Sequence, residues 1–122
     1  MRAAALAALD KATGLAPYWA DPHVERGYIL THSGRPEDGL ASYREAIRLA
    51  EQSGKDTAVL AMGWRGVGYA QGELHAWAEA RAAYRRSLEM RPGNRVALNE
   101  LIWIDQQDPG AASPASLSSP GD

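Results

Sequence analysis

Cysteine and phenylalanine are both absent from the 122 residues. Without cysteine there is no disulfide framework and no thiolate metal site, and the redox environment stays open. Without phenylalanine, the core must be assembled from alanine, leucine, tyrosine and tryptophan. No apolar run reaches the roughly 18 residues that a membrane span requires. An excess of charge is lacking too. The net charge of −2 gives no general attraction to phosphate backbones or acidic lipid surfaces. Nucleic acid is therefore not an expected partner, and Arg81, Arg85 and Arg86 read as a solvated helix face. The opening Met1–Leu9 segment is apolar but short, and Asp10 and Lys11 interrupt it before any cleavage site. It reads as a helix, not a secretory leader, which makes the cytoplasm the expected compartment. H-E-x-x-H, G-x-S-x-G and a phosphate-binding glycine loop are also missing. His23, His32 and His75 are scattered. No catalytic residue, metal or cofactor is expected, and the chain does not read as an enzyme.

What is present is ordinary for one soluble domain: 45% hydrophobic and 23% charged residues. Its most informative stretch runs from Trp64 to Asn94. Trp64, Val67, Gly68 and Gln71 recur at the spacing that lines one face of a helix. Leu74, Trp77, Ala80, Tyr84, Ser87 and Leu88 do the same for a second helix, with a break near Glu73–His75. Gly68 and Ala80 are the small members of the two stripes, where antiparallel helices can approach closely. Pro92-Gly93-Asn94 then ends the second helix. Gly63, Gly66, Gly68 and Gly72 read as small packing residues within a helical pattern, each costing about 1 kcal/mol of propensity relative to alanine.

This succession of Trp, Val-Gly, aromatic, Ala, Tyr, Ser-Leu and terminal Pro resembles the tetratricopeptide repeat, a helix–turn–helix unit of about 34 residues. The resemblance implies an all-α fold, a right-handed superhelical stack of about five helices. A partial repeat is expected over 1–19 and a full repeat over 20–53. Gly27, Tyr28, Gly39, Tyr43, Ala46 and Ile47 precede Gly68, Tyr69, Ala80, Tyr84, Ser87 and Leu88 by 41 residues. That excess of seven over the family's period is about two helical turns. Extended linker helices are accordingly expected over 54–60, with α-helix ending near Gln52, a turn at Gly54 and a restart near Asp56. The second repeat spans 61–94. A capping helix covers 95–107, with Asn94 as its N-cap and Ile102 too bulky for a further close-packed helix. Residues 108–122, rich in Pro, Ser and Gly, read as a disordered tail following the repeat domain 1–107.

In the family this chain resembles, the first helix of each unit lines a concave surface that binds peptides or partner proteins. Carried onto these residues, the groove gathers Glu25, Tyr28, His32, Met62, Arg65, Tyr69 and Glu73. The capping helix adds Asn99, Glu100, Trp103 and Gln106. Tyr28, Tyr69 and Trp103 hold equivalent places and are expected to form an aromatic ladder, or alternatively to pack between neighbouring helices. Some members clamp a C-terminal carboxylate with Lys, Asn and Arg. Here Arg65 and Asn99 are present, but Tyr28 and Tyr69 stand where that clamp has asparagines. Beside Arg65, the acids Glu25, Glu73 and Glu100 favour a ligand of basic or amphipathic character. The expected function is therefore a protein-interaction module. The alternative is a structural element, either the end of a longer array or a homodimer through the exposed N-terminal half-repeat.

Overall fold

The computed structural model describes residues 2–54, 56–108 and 110. It contains α1 (Arg2–Leu15), α2 (Asp21–Thr31), α3 (Pro36–Gln52), α4 (Thr57–Glu73), α5 (Trp77–Met90) and α6 (Arg95–Gln107). There are no strands among the described residues. Among the described residues the helices number six, one more than the approximate count of five. The half-repeat and the cap each contribute a complete helix beside the two hairpins.

Local chemistry explains where the helices start. Asp56 accepts from the backbone N–H groups of Ala58 (3.1 Å) and Val59 (3.3 Å), capping α4. Asn94 does the same for Ala97 at 3.1 Å. Pro36 opens α3, where its missing N–H costs nothing, and Glu37 and Asp38 follow at the positive end of the helix dipole. Gly54 turns the chain between α3 and α4 at φ +97°. Thr57–Leu60 is the first turn of α4, continuous with the rest of that helix.

Short turns make consecutive helices antiparallel neighbours, from α1 on α2 through to α5 on α6. Beyond these, α4 also touches α2 and α6, whereas α3 and α5 do not meet. The first helices thus form a tight inner row and the second helices a splayed outer one. That difference curves the stack and makes the α2/α4/α6 side concave.

The core repeats itself in the two hairpins. The Tyr43 ring lies against Gly27, where a Cβ would come within 2.8 Å of it, and on its other side against Gly66 of α4. The Tyr84 ring lies against Gly68, within 2.9 Å of where a Cβ would stand. The close approach expected at Gly68 is therefore filled by an aromatic ring. Gly72, one turn further along α4, lies against Ile104 of α6. Ser87 is fully buried and its hydroxyl donates to the Ala61 carbonyl at 2.8 Å, pinning α5 to α4.

Two surface expectations need correction. Arg81 is not merely solvated: it pairs with Asp105 at 2.9 Å and with Asp108. Arg86 stacks over the Trp64 ring, 4.6 Å from its centroid, while Arg85 is exposed. The Arg81 pairing also places Asp108, assigned above to the tail, at the folded end of α6. Residues 109 and 111–122 lie outside the described residues. Among the described residues, no helix is long and apolar enough to cross a membrane.

Candidate functional site

The concave side carries a cleft of about 470 Å³, lined from α2 by Val24, Glu25, Tyr28, Ile29 and His32. From α4 come Met62, Arg65, Gly66 and Tyr69, and Glu100 closes it from α6. Tyr43 belongs to the outer helix α3, yet it reaches the cleft floor because Gly27 and Gly66 leave room for its ring. A smaller cleft of about 210 Å³ adjoins, sharing Tyr69 and Glu100 and adding Gly72, Glu73, Tyr84, Trp103 and Ile104.

The aromatic rings stack, though not in the expected order. Tyr28 stacks on His32 with centroids 4.0 Å apart, and His32 stacks on Tyr69 at 4.7 Å and 9°. His32 Nδ1–H donates to the Tyr28 carbonyl at 2.8 Å, which fixes the imidazole between the two phenol rings. Trp103 is not part of this stack. It meets Trp77 edge-on, 6.2 Å between centroids, at the start of α5. Asn99 is exposed on α6 and lines neither cleft, one residue out of phase with Glu100. Of the eleven residues expected to line the groove, Glu25, Tyr28, His32, Met62, Arg65, Tyr69 and Glu100 share the larger cleft, while Gln106, like Asn99, is exposed and lines neither. Glu73 and Trp103 share the smaller one.

The sequence of the α2/α4/α6 row supplies the groove, but burial decides its electrostatics. Desolvation pushes the Tyr43 hydroxyl up to about 12 and raises Tyr69 and Tyr84 as well. Glu100 is raised from the usual glutamate value, first by burial. Arg65, the Tyr84 hydroxyl and His32 oppose that shift without cancelling it. Its Oε1 is buried and accepts no hydrogen bond. No feature of the sequence marked Glu100 apart from Glu25 and Glu73, because desolvation arises only when α6 docks on α4. Among the described residues no group of three or more His, Asp or Glu side chains could hold a metal ion.

The sequence profile of the tetratricopeptide repeat matches residues 20–92. The chain belongs to the tetratricopeptide repeat family. Among solved structures it is similar to the first TPR of Spaghetti (RPAP3) bound to HSP90 peptide SRMEEVD, with a TM-score of 0.74 at 22% identity. The likeness covers 84% of this chain and 75% of that one, and it shows a shared helical stack. No curated protein matches the chain.

For this tetratricopeptide domain, Glu100 predicts a pH dependence of stability. A carboxyl whose native pKa lies above its unfolded value holds its proton longer in the folded state. Its contribution is therefore most favourable below the ordinary glutamate pKa and is lost as pH rises to the raised native value. Glu100→Gln cannot ionise, so it should remove this loss and raise stability at neutral pH by about 1 kcal/mol, the order of the desolvation penalty on a poorly paired polar group. Urea unfolding of both proteins from about pH 4 to pH 7 checks it. The gap between them should open with rising pH; a constant gap would mean that Glu100 is not desolvated.

Proposed function

We propose that this tetratricopeptide domain binds an extended peptide or a partner-protein segment along the concave α2/α4/α6 groove. The observation that carries the proposal is the stacked Tyr28–His32–Tyr69 wall facing an open cleft. Rings with a polar edge bury much area at little entropic cost and still hydrogen-bond, so they serve well as anchors. The solved relative named above holds a peptide, which makes peptide capture a natural use of such a stack.

The acidic peptide of that relative is not the occupant proposed here. Tyr28 and Tyr69 replace the asparagines of a carboxylate clamp, and Asn99 faces away from the cleft. A display library of random heptapeptides, selected on the wild-type protein and on Tyr69→Ala, tests the groove directly. Wild-type selection should yield peptides that Tyr69→Ala binds at least about tenfold more weakly, the loss typical of a central anchor. Peptides indifferent to Tyr69 would place binding elsewhere.

A second use has its own observation. Helix α1 packs on α2 alone and buries none of its residues, while Leu15 (78% exposed), Tyr18 (75%) and Trp19 lie open nearby. Self-association through this end is the structural alternative, and light scattering across a concentration series distinguishes it. A monomer throughout would remove it.

A further inference from the structure

The Glu100 carboxylate lines the concave cleft with one of its two oxygens unpaired. Its Oε1 is shielded from water yet accepts nothing, and no cation lies within ion-pairing distance of it among the described residues. A buried acceptor left in this state costs free energy that a donor in the cleft would recover once the side chain turns Oε1 towards it. Arg65 lines the same cleft but closes no ion pair with it. Around them stand Tyr28, Tyr69 and Tyr43, whose ring faces attract cations as well as apolar groups. Two carboxylates, Glu25 and Glu100, against one guanidinium leave the cleft with a negative balance.

An acidic side chain entering here would gain Arg65 and be repelled by both carboxylates. An apolar one would bury Oε1 more deeply and leave it unpaired. A basic side chain satisfies Glu100, lays its methylene stem against the tyrosine faces, and adds to no existing positive cluster. We infer that the groove recognises its protein partner through one lysine or arginine side chain, whose charged head meets the Glu100 carboxylate in the Tyr28–His32–Tyr69 cleft. The inference rests on the groove assignment above and adds the chemistry of the residue it reads. Arg65 shapes the selectivity: a second adjacent basic residue would meet it, so a single basic residue among apolar neighbours fits better than a polybasic run.

The experiment extends the same heptapeptide selection to Glu100→Gln, with thermal melts confirming that the variant is folded. The best wild-type peptide is then remade with its basic residue replaced by norleucine, which keeps the stem and removes the charge. Fluorescence polarisation measures both peptides on both proteins. Wild-type selection should enrich one lysine or arginine at a constant position. Norleucine should weaken binding to the wild type by about tenfold or more, and hardly at all to Glu100→Gln, where the charge partner is already gone. Peptides that depend on Tyr69 but share no basic residue would overturn the Glu100 inference while leaving the groove intact. So would an equal norleucine penalty on both proteins. Peptides that ignore Tyr69, or no enrichment at all, would overturn the groove assignment and this inference with it.

Discussion

Tyr84→Ala is expected to cost about 3–5 kcal/mol of unfolding free energy, the range for truncating a fully buried aromatic. Tyr69→Ala should cost about 1 kcal/mol or less, because it leaves a surface depression and not an internal cavity. The two residues are both tyrosines of the second repeat, 15 positions apart, and nothing in their chemistry distinguishes them. Their surroundings do. Tyr84 is 1% exposed and packs with Ala80, Ala97 and Ile104, its ring flat on the backbone at Gly68. It ties α4, α5 and α6 together at one point. Domains of this size hold only about 5–15 kcal/mol in total, so its loss removes a large share. Tyr69 has one face on His32 and its edge in the cleft. Urea unfolding followed by circular dichroism measures both variants against wild type. Equal losses would mean that Tyr69 is core, and the stacked wall would then be part of the scaffold and not a binding surface.

The hairpins and their spacing were legible because they depend on local periodicity. Gly27 and Gly68, and Tyr43 and Tyr84, recur at one offset, and in each pair the glycine accommodates the tyrosine ring. What could not be read is how each helix is rotated against helices outside its own hairpin. Trp103 sits at the position equivalent to Tyr69, yet α6 has no second helix of its own among the described residues. Its indole therefore turns to Trp77 on α5. His32 was recognisable as a groove residue but not as the ring between two tyrosines, since that role needs α2 and α4 in contact. Gly72 reads from the sequence as a small packing residue, but that its partner is Ile104 depends on α6 folding over that end of α4. The pairing of Arg81 with Asp108 spans 27 residues of sequence, beyond anything a helical repeat can reveal. Burial of Glu100 is of the same kind: three helices create it, and no single segment announces it.

The glycines of α4 yield the other large effect, because they separate two opposing terms. Alanine is favoured over glycine inside a helix by about 1 kcal/mol, so every Gly→Ala change on α4 begins with a gain. At Gly66 the new methyl would fall within the Tyr43 ring, whose opposite face is already held by Gly27 with 2.8 Å to a notional Cβ. The ring already touches both α2 and α4, and the side left open to it is the cleft itself. Overpacking of this kind costs about 1–3 kcal/mol or more, so Gly66→Ala should be destabilising despite its propensity gain. Gly68→Leu, against the Tyr84 ring, belongs to the same class. At Gly72 the only obstacle is Ile104 Cδ1 at 3.0 Å, the tip of a flexible side chain. A shift of a few tenths of an ångström relieves it, and Gly72→Ala should be neutral or stabilising by up to about 1 kcal/mol. Gly66 also lines the cleft, so displacing Tyr43 there should narrow the groove and weaken peptide binding beyond the loss of stability. Thermal melts of the three variants, with peptide titration of Gly66→Ala, decide the matter. If Gly66→Ala melts as high as Gly72→Ala, the Tyr43 ring is free to move, and the floor of the groove is softer than this packing requires.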